Sequence, residues 1–229
     1  MSLLWERGAS GRLMLPERPD PRQVVSPALT EVFIAGRLRA AYRPGLIAAT
    51  DGYAEMYENA HLTCAAVLIP LCRWQQAWQL VFTRRTDGVE HHKGQVSFPG
   101  GACDEGDASP EATALREAEE EIGLRPDDVR ILGRLNDVVT ITRYRVTPVV
   151  GVLPWPYPLR LAAAEVGRVF TIPLPWLAER GNWDERPALP DGTPRPFPVV
   201  SYHPFDGEVL WGASARITLG FLSVLGLLE

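Results

Sequence analysis

Residues 98–124, FPGGACDEGDASPEATALREAEEEIGL, constrain the fold more than any other stretch of the chain. Ser109 is a good N-cap, because its hydroxyl accepts from a backbone N–H that no helical carbonyl reaches. Pro110 follows at the first helical position, where a missing N–H costs nothing, and Gly123 stands where a helix would end. Between them Ala112, Leu115, Ala118 and Ile122 recur at helical spacing and form an apolar face. Glu117, Glu120 and Glu121 are spaced i, i+3, i+4, which predicts that they gather on roughly the opposite face. Arg116 precedes them.

Three carboxylates so spaced repel one another and raise each other's pKa. One reading is a solvated acidic helix face, since Glu is a good helix former. The other is a site for a hard divalent cation. Mg²⁺ or Mn²⁺ prefers oxygen ligands, keeps several waters and bridges carboxylates to phosphate oxygens. Gly100 and Gly101, just upstream, let the backbone approach a ligand closely and offer it a carbonyl.

The run Arg116-Glu117-Ala118-Glu119-Glu120-Glu121-Ile122-Gly123-Leu124 resembles the second half of the Nudix box, R-E-U-x-E-E-x-G-U with U apolar, and fills every fixed position. The first half departs from the pattern. The segment between Gly101 and Arg116 is one residue longer than in the box, and Asp107-Ala108 stands where the box has a Glu. A second signature resembles the bacterial coenzyme A pyrophosphatases of that family, roughly L-L-T-x-R-S/A-x3-R-x3-G-x-V-S-F-P-G-G. Here it reads Val81-Phe82-Thr83-Arg84-Arg85-Thr86, then Gly94-Gln95-Val96-Ser97-Phe98-Pro99-Gly100-Gly101, with Thr86 for the small residue and Glu90 for the second arginine. Thr147-Pro148-Val149-Val150-Gly151 and Trp211-Gly212-Ala213-Ser214-Ala215-Arg216 also look like stretches of that subgroup.

The resemblance implies an α/β chain: a Nudix α/β/α sandwich with a mixed sheet and a catalytic loop–helix–loop. It implies metal-dependent hydrolysis of a pyrophosphate bond in coenzyme A or its thioesters, giving 3′,5′-ADP and 4′-phosphopantetheine or its acyl form. Glu117, Glu120, Glu121 and the Gly100 carbonyl would hold Mg²⁺ or Mn²⁺, and Arg116 would orient the glutamates. Glu165, ahead of a strand-like segment, is the candidate for a further carboxylate from a downstream loop, as metal ligand or general base, against an ordinary solvent-facing role. His92 matches a histidine frequent in the subgroup. Arg84, Arg85 and Gln95 are candidates for substrate contact, since guanidinium binds phosphate in a fork; neighbours on a strand point to opposite faces, so only one arginine is expected to face the site. Tyr144 and Trp155 are candidates for stacking on an adenine or for packing. Other readings stay open: hydrolysis of ADP-ribose or another nucleoside di- or triphosphate, and a noncatalytic nucleotide-binding module.

Along the chain, residues 1–60 read as an N-terminal extension and 61–229 as the hydrolase domain. Residues 1–25 lack periodicity. Ser26-Pro27 should start a helix with Leu29, Val32, Phe33 and Leu38 on its apolar face, packing on the domain or on a second subunit in a homodimer. Strands are expected at Ala65–Ile69, Trp78–Phe82, Val96–Phe98, Val129–Leu135, Val146–Leu153, Val166–Ile172, Phe197–Tyr202 and Glu208–Trp211. Pro148 predicts an edge or a bulge. Residues 83–93 and 181–198 read as loops, Pro173–Arg180 as a short helix, and Ala213–Leu228 as a closing core helix.

The formal net charge is −5 and no basic run is present. The expected partner is therefore a small-molecule nucleotide, with no nucleic acid and no membrane, as no apolar run approaches the length of a span. The first residues carry Arg and Glu where a signal peptide needs an apolar core, so a cytoplasmic location is expected. Cys64, Cys72 and Cys103 form no CxxC unit. With an odd count they are expected to be free thiols, Cys64 and Cys72 in the core, and Cys103 either a reactive thiol or a plain loop residue.

Overall fold

A computed structural model describes residues 29–48, 57, 61–86, 94–188 and 197–228. The expectations for Ser26-Pro27, residues 1–25, Glu90, His92 and 189–196 lie outside the described residues. Residues 31–229 form one compact unit.

The long apolar run becomes β1 (Thr63–Trp74), which turns back into β2 (Ala77–Arg85) as an antiparallel hairpin. Gln75 and Gln76 both adopt left-handed backbone (φ 50° and 68°), the geometry of a two-residue turn that matches strand twist. Strand β2 therefore runs through Thr83–Arg85, where the polar sequence predicts a loop. The stretch before Ser109 splits into β3 (Val96–Ser97), paired with β2, and β4 (Gly100–Ala102), paired with β1. Helix α1 (Glu31–Ala41) buries Ile34 and Leu38, while Val32, expected on the apolar face, is 84% exposed.

After helix α2 (Pro110–Ile122) and a 3-10 turn at Pro126–Asp128 come β5 (Arg130–Arg134), β6 (Val138–Val139) and β7 (Tyr144–Val152). Strand β7 is not an edge. It pairs in parallel with β1 over nine residues and on its other side with β5 and β6. Pro148 is tolerated there because β5 ends at Arg134 and β6 resumes at Val138, so the proline faces the break between them. Its carbonyl accepts from the Leu135 N–H at 2.9 Å, and no ladder donor is required of its nitrogen.

The remaining elements are β8 (Val166–Pro173) on β2, α3 (Leu174–Ala178), a two-stranded sheet of β9 (Trp183–Ala188) and β10 (Phe197–Tyr202), and α4 (Gly212–Leu225). Strand β9 corrects the loop reading for 183–188: despite Pro187, it pairs with β10 in a sheet of only two strands, where one side needs no ladder donors. The expected strand at Glu208–Trp211 is reduced to isolated bridges, Phe205 to Glu208 and Ser201 to Trp211.

The main sheet is mixed, in the order β3-β2-β1-β7-β5, with β4, β6 and β8 attached to β1, β7 and β2. Side chains alternate across it. Ala66 and Leu68 of β1 pack with Ala114, Ala118 and Ile122 of α2 in one cluster. Val67, between them in sequence, faces the other way and lines a cavity with Ala213 and Ile217 of α4. Helices thus cover both faces, and the architecture is an α/β/α sandwich in which α2 packs on β1 and brings Glu117 against Gly101 of β4.

Candidate active site on the glycine pair and helix α2

The local signals at α2 act as the sequence dictates. The Ser109 hydroxyl accepts from the Ala112 N–H at 3.2 Å. Gly123, with φ 69°, donates its N–H to the Glu119 carbonyl at 2.9 Å and closes the helix. The face assignment differs from expectation. Thr113, Ala114, Ala118, Glu121 and Ile122 are buried, whereas Glu120 is exposed. Glu121 therefore sits at the margin of the packed face and only Glu117, one turn earlier, shares its side of the helix.

Arg116 is the centre of a charged network. Its Nε and Nη2 donate to the two carboxylate oxygens of Asp107 at 3.1 and 2.9 Å. Nη2 also donates to the Ala102 carbonyl at 3.0 Å, and Nη1 donates to Glu117 at 2.9 Å and Glu120 at 3.3 Å. Asp107 in turn accepts from the Asp104 N–H at 2.9 Å, which ties the acidic loop to the helix. The hydrogen bonds from Arg116 hold the Asp107 carboxyl well below the usual carboxylate range. The sequence reading did not select Asp107. The signal was present: it stands where the box has a glutamate, and an aspartate one residue further from the arginine in a longer loop reaches the same guanidinium.

The glycine pair has two separate jobs. A side chain on Gly100 (φ 156°) would overlap the β1 backbone at Ala66 and Val67, so only glycine lets β4 lie this close. A Cβ on Gly101 would stand 2.5 Å from the Glu117 carboxyl carbon, so its absence leaves the space that carboxylate occupies. Burial raises the Glu117 pKa. Glu121 is raised further, to about 8, by burial first and then by the neighbouring Glu117 charge; Arg85 and the backbone hydrogen bond from Gly100 act in the opposite sense, and Glu165 adds repulsion. Glu165, exposed at the entry to β8, is thus brought into the same electrostatic cluster from a distant part of the chain.

One oxygen of Glu121, Oε2, is buried with no hydrogen-bond partner. An orphaned buried carboxylate oxygen is costly, and a cation removes that cost. Among the described residues no three His, Cys, Asp or Glu side chains converge as a ready cage. That donor set suits Mg²⁺ or Mn²⁺, which are commonly held by one or two carboxylates plus waters and substrate phosphates. The residues fit such an ion: Glu117, Glu121 and the Gly100 carbonyl, with Glu120 and Glu165 at the rim.

Two cavities border the glycines and a third adjoins them. One of 190 Å³ is lined by Arg85, Gln95, Ser97, Gly100 and Ser214. One of 230 Å³ takes in Gly100, Gly101 and Tyr144. The largest, 410 Å³, shares Gln95 and Ala213 with the first and is walled by Val138, Val139, Ile141, Pro198, Val199, Val200 and Trp211. Of the two expected arginines, Arg85 lines the cavity that Gly100 borders, its charge acts on Glu121, and it carries a buried Nε without a partner, whereas Arg84 pairs with Glu208 at 3.3 Å. Tyr144 lines the site, while Trp155 packs against the core under α2. His92 lies outside the described residues.

The free-thiol expectation fails for two of three cysteines. Cys64 and Cys103 are joined in a disulfide, because β4 runs antiparallel to β1 and carries the residue after Ala102 next to the one before Ala65. Cys64 is exposed rather than in the core; Cys72 is free and buried.

Among the described residues no helix is long and apolar enough to cross a membrane. The chain is 47% identical over 119 residues to the uncharacterized Nudix hydrolase NudL of Escherichia coli strain K12, a match covering 52% of this chain and 62% of that protein. The chain thus spans less than two thirds of the curated relatives it matches. Among solved structures it is similar to a MutT/nudix family protein from Enterococcus faecalis (14% identity, 86% of this chain and 80% of that one, TM-score 0.44). It is also similar to an Ap4A hydrolase binary complex from C. elegans (18% identity, 48% and 80%, TM-score 0.42). The family model for the NUDIX domain matches residues 62–191, more than half of the sequence and a span that includes the glycine pair, helix α2 and Glu165, and the chain belongs to that family.

Proposed function

We propose that this chain is a divalent-metal-dependent pyrophosphohydrolase and that its substrate is coenzyme A or a thioester derivative, cleaved to 3′,5′-ADP and 4′-phosphopantetheine or its acyl form. The observation that carries the hydrolase reading is the Glu121 carboxylate, buried with an unpartnered oxygen beside Glu117 and the glycine pair. A fold does not retain so unfavourable a group for packing alone. When bound, Mg²⁺ or Mn²⁺ neutralises phosphate oxygens and lowers the pKa of a coordinated water.

The chain's own residues supply the rest. Asp107 and the Ala102 carbonyl fix Arg116, and Arg116 fixes Glu117 and Glu120. The glycine pair keeps the floor of the site free of side chains. Arg85 offers an unpaired donor to a phosphate oxygen. Glu165 is the proposed base that takes the proton of the attacking water. The new P–O bond forms from that water as the bridging P–O bond breaks, leaving two phosphate monoesters.

The substrate assignment is supported by the upstream signature that ends in Gly100-Gly101 and by the 410 Å³ cavity, whose mostly apolar walls, with Thr140, Thr142, Gln95 and Arg216 among them, suit the branched start of a pantetheine arm. The test is a comparison of kcat/KM for coenzyme A, acetyl-coenzyme A, ADP-ribose, NADH and dGTP with Mn²⁺, alongside Glu120→Gln and Glu121→Gln. The proposal expects coenzyme A or its thioester to lead and both variants to lose turnover. Preference for ADP-ribose or dGTP overturns the substrate. Nucleotide binding without turnover in the unaltered protein overturns the enzyme reading in favour of a binding module.

A further inference from the structure

We propose that Cys64 and Cys103 form a thiol–disulfide exchange site for low-molecular-weight thiols, and that its redox state sets how tightly the glycine loop and Arg116 hold the metal carboxylates. The second half of this statement rests on the metal-site reading above; the first does not.

The pair is placed for both roles. Cys64, at the start of β1, is exposed and open to attack, and Cys103 is half-buried behind it. Their Cα atoms are 5.4 Å apart, and the Cys103 N–H donates to the Cys64 carbonyl at 3.0 Å, so the pairing of the two strands sets the sulfurs side by side. The bond lies next to Ala102, whose carbonyl receives Arg116 Nη2 at 3.0 Å. Directly after Cys103 comes the Asp104–Asp107 loop, whose Asp107 makes the two-point contact with the same guanidinium. Upstream, β4 is a short strand that pairs with β1 through Ala102, Gly101 and Gly100 against Ala65, Ala66 and Val67. The disulfide therefore clips the short strand and the acidic loop that position Arg116, Glu117 and Glu121. Cys72, the third cysteine, is buried and takes no part.

The chemistry balances with a small thiol as the only co-reactant. Its thiolate attacks Cys64 Sγ, the S–S bond breaks, and Cys103 leaves as thiolate, which takes up a proton. A second thiol then attacks the mixed disulfide, releasing the oxidised small disulfide and the Cys64 thiol. Run backwards with the small disulfide as oxidant, the same steps reclose the clip. In a compartment kept reducing, such a bond is a transient, regulatory one. With the clip open, the outer partners of the metal carboxylates are less fixed, and losing such partners weakens metal binding by on the order of tenfold.

The test equilibrates the full chain in glutathione buffers from fully reduced to fully oxidised. Accessible thiols are trapped with an alkylating reagent and counted by intact mass. Mn²⁺ affinity is measured on the same samples by electron paramagnetic resonance, with Cys103→Ser and Cys64→Ser as variants. The expected result is a single two-thiol step, Mn²⁺ affinity about tenfold weaker on its reduced side, and no redox dependence of Mn²⁺ affinity in either variant. Two thiols that stay open to alkylation at every poise overturn the exchange site. A two-thiol step that leaves Mn²⁺ affinity unchanged overturns its coupling to the metal carboxylates. Neither readout needs turnover, which keeps a failure here distinct from a failure of the hydrolase reading.

Discussion

Replacing Glu121 by Gln should make the metal-free protein more stable at alkaline pH while removing its response to metal. The Glu121 carboxyl is raised from 4.5 to about 8, chiefly by burial. A carboxyl whose pKa is higher in the folded than in the unfolded state favours folding when protonated. That contribution is complete below about pH 4.5 and is lost as pH rises through about 8. The size of the displacement corresponds to about 3–5 kcal/mol, or a fall in Tm on the order of 10 °C for a chain of this length. Gln is nearly isosteric and cannot ionise, so the variant should keep the stability of the protonated form across the whole range. The assay is differential scanning calorimetry in EDTA from pH 5 to pH 9 on both proteins. The difference between the two curves isolates Glu121 from other titrating groups. Above pH 8 the variant should unfold at the higher temperature, and added Mn²⁺ should raise Tm only in the unaltered protein. Parallel curves, or a Tm that climbs with pH more steeply without the substitution, would refute the reading of Glu121 as a buried, cation-seeking carboxylate.

Other perturbations address the parts around it. Asp107→Asn removes the charged partner of Arg116 and should weaken Mn²⁺ binding by on the order of tenfold with an unchanged far-ultraviolet circular dichroism spectrum, read by titration. Gly101→Ala places a methyl against the Glu117 carboxylate and should abolish metal-dependent turnover with little change in Tm. Ser109→Ala deletes the α2 cap and should cost about 1 kcal/mol, seen as a lower denaturant midpoint. Arg85→Ala should raise KM for the nucleotide more than it lowers kcat, whereas Arg84→Ala, already paired with Glu208, should change neither by much.

What the sequence made legible was local. Ser109, Pro110 and Gly123 bound α2 because capping acts on neighbouring backbone groups, and Ala118 and Ile122 found the core through a period of 3.6. The departures are long-range. Pro148 looked like an edge residue, yet it occupies an inner strand because its partner strand breaks opposite it, some dozen residues away in sequence. Glu121 was assigned to the outer face with Glu120, but the rotation of a helix on a sheet is set by packing, and that put one glutamate under the glycine loop and the other in solvent. The Cys64–Cys103 bond depends on the pairing of β4 with β1, which no spacing within either segment reveals. Asp107 was visible as a deviation from the box, but its use became clear only from the two contacts it makes with Arg116.

The central claim is tested most directly by incubating the purified chain with coenzyme A and Mn²⁺ and identifying the products by mass spectrometry. The account predicts 3′,5′-ADP and 4′-phosphopantetheine in equal amounts, none in the presence of chelator and none from Glu121→Gln. Intact coenzyme A after prolonged incubation with metal, or products that form equally well from Glu121→Gln, would contradict it.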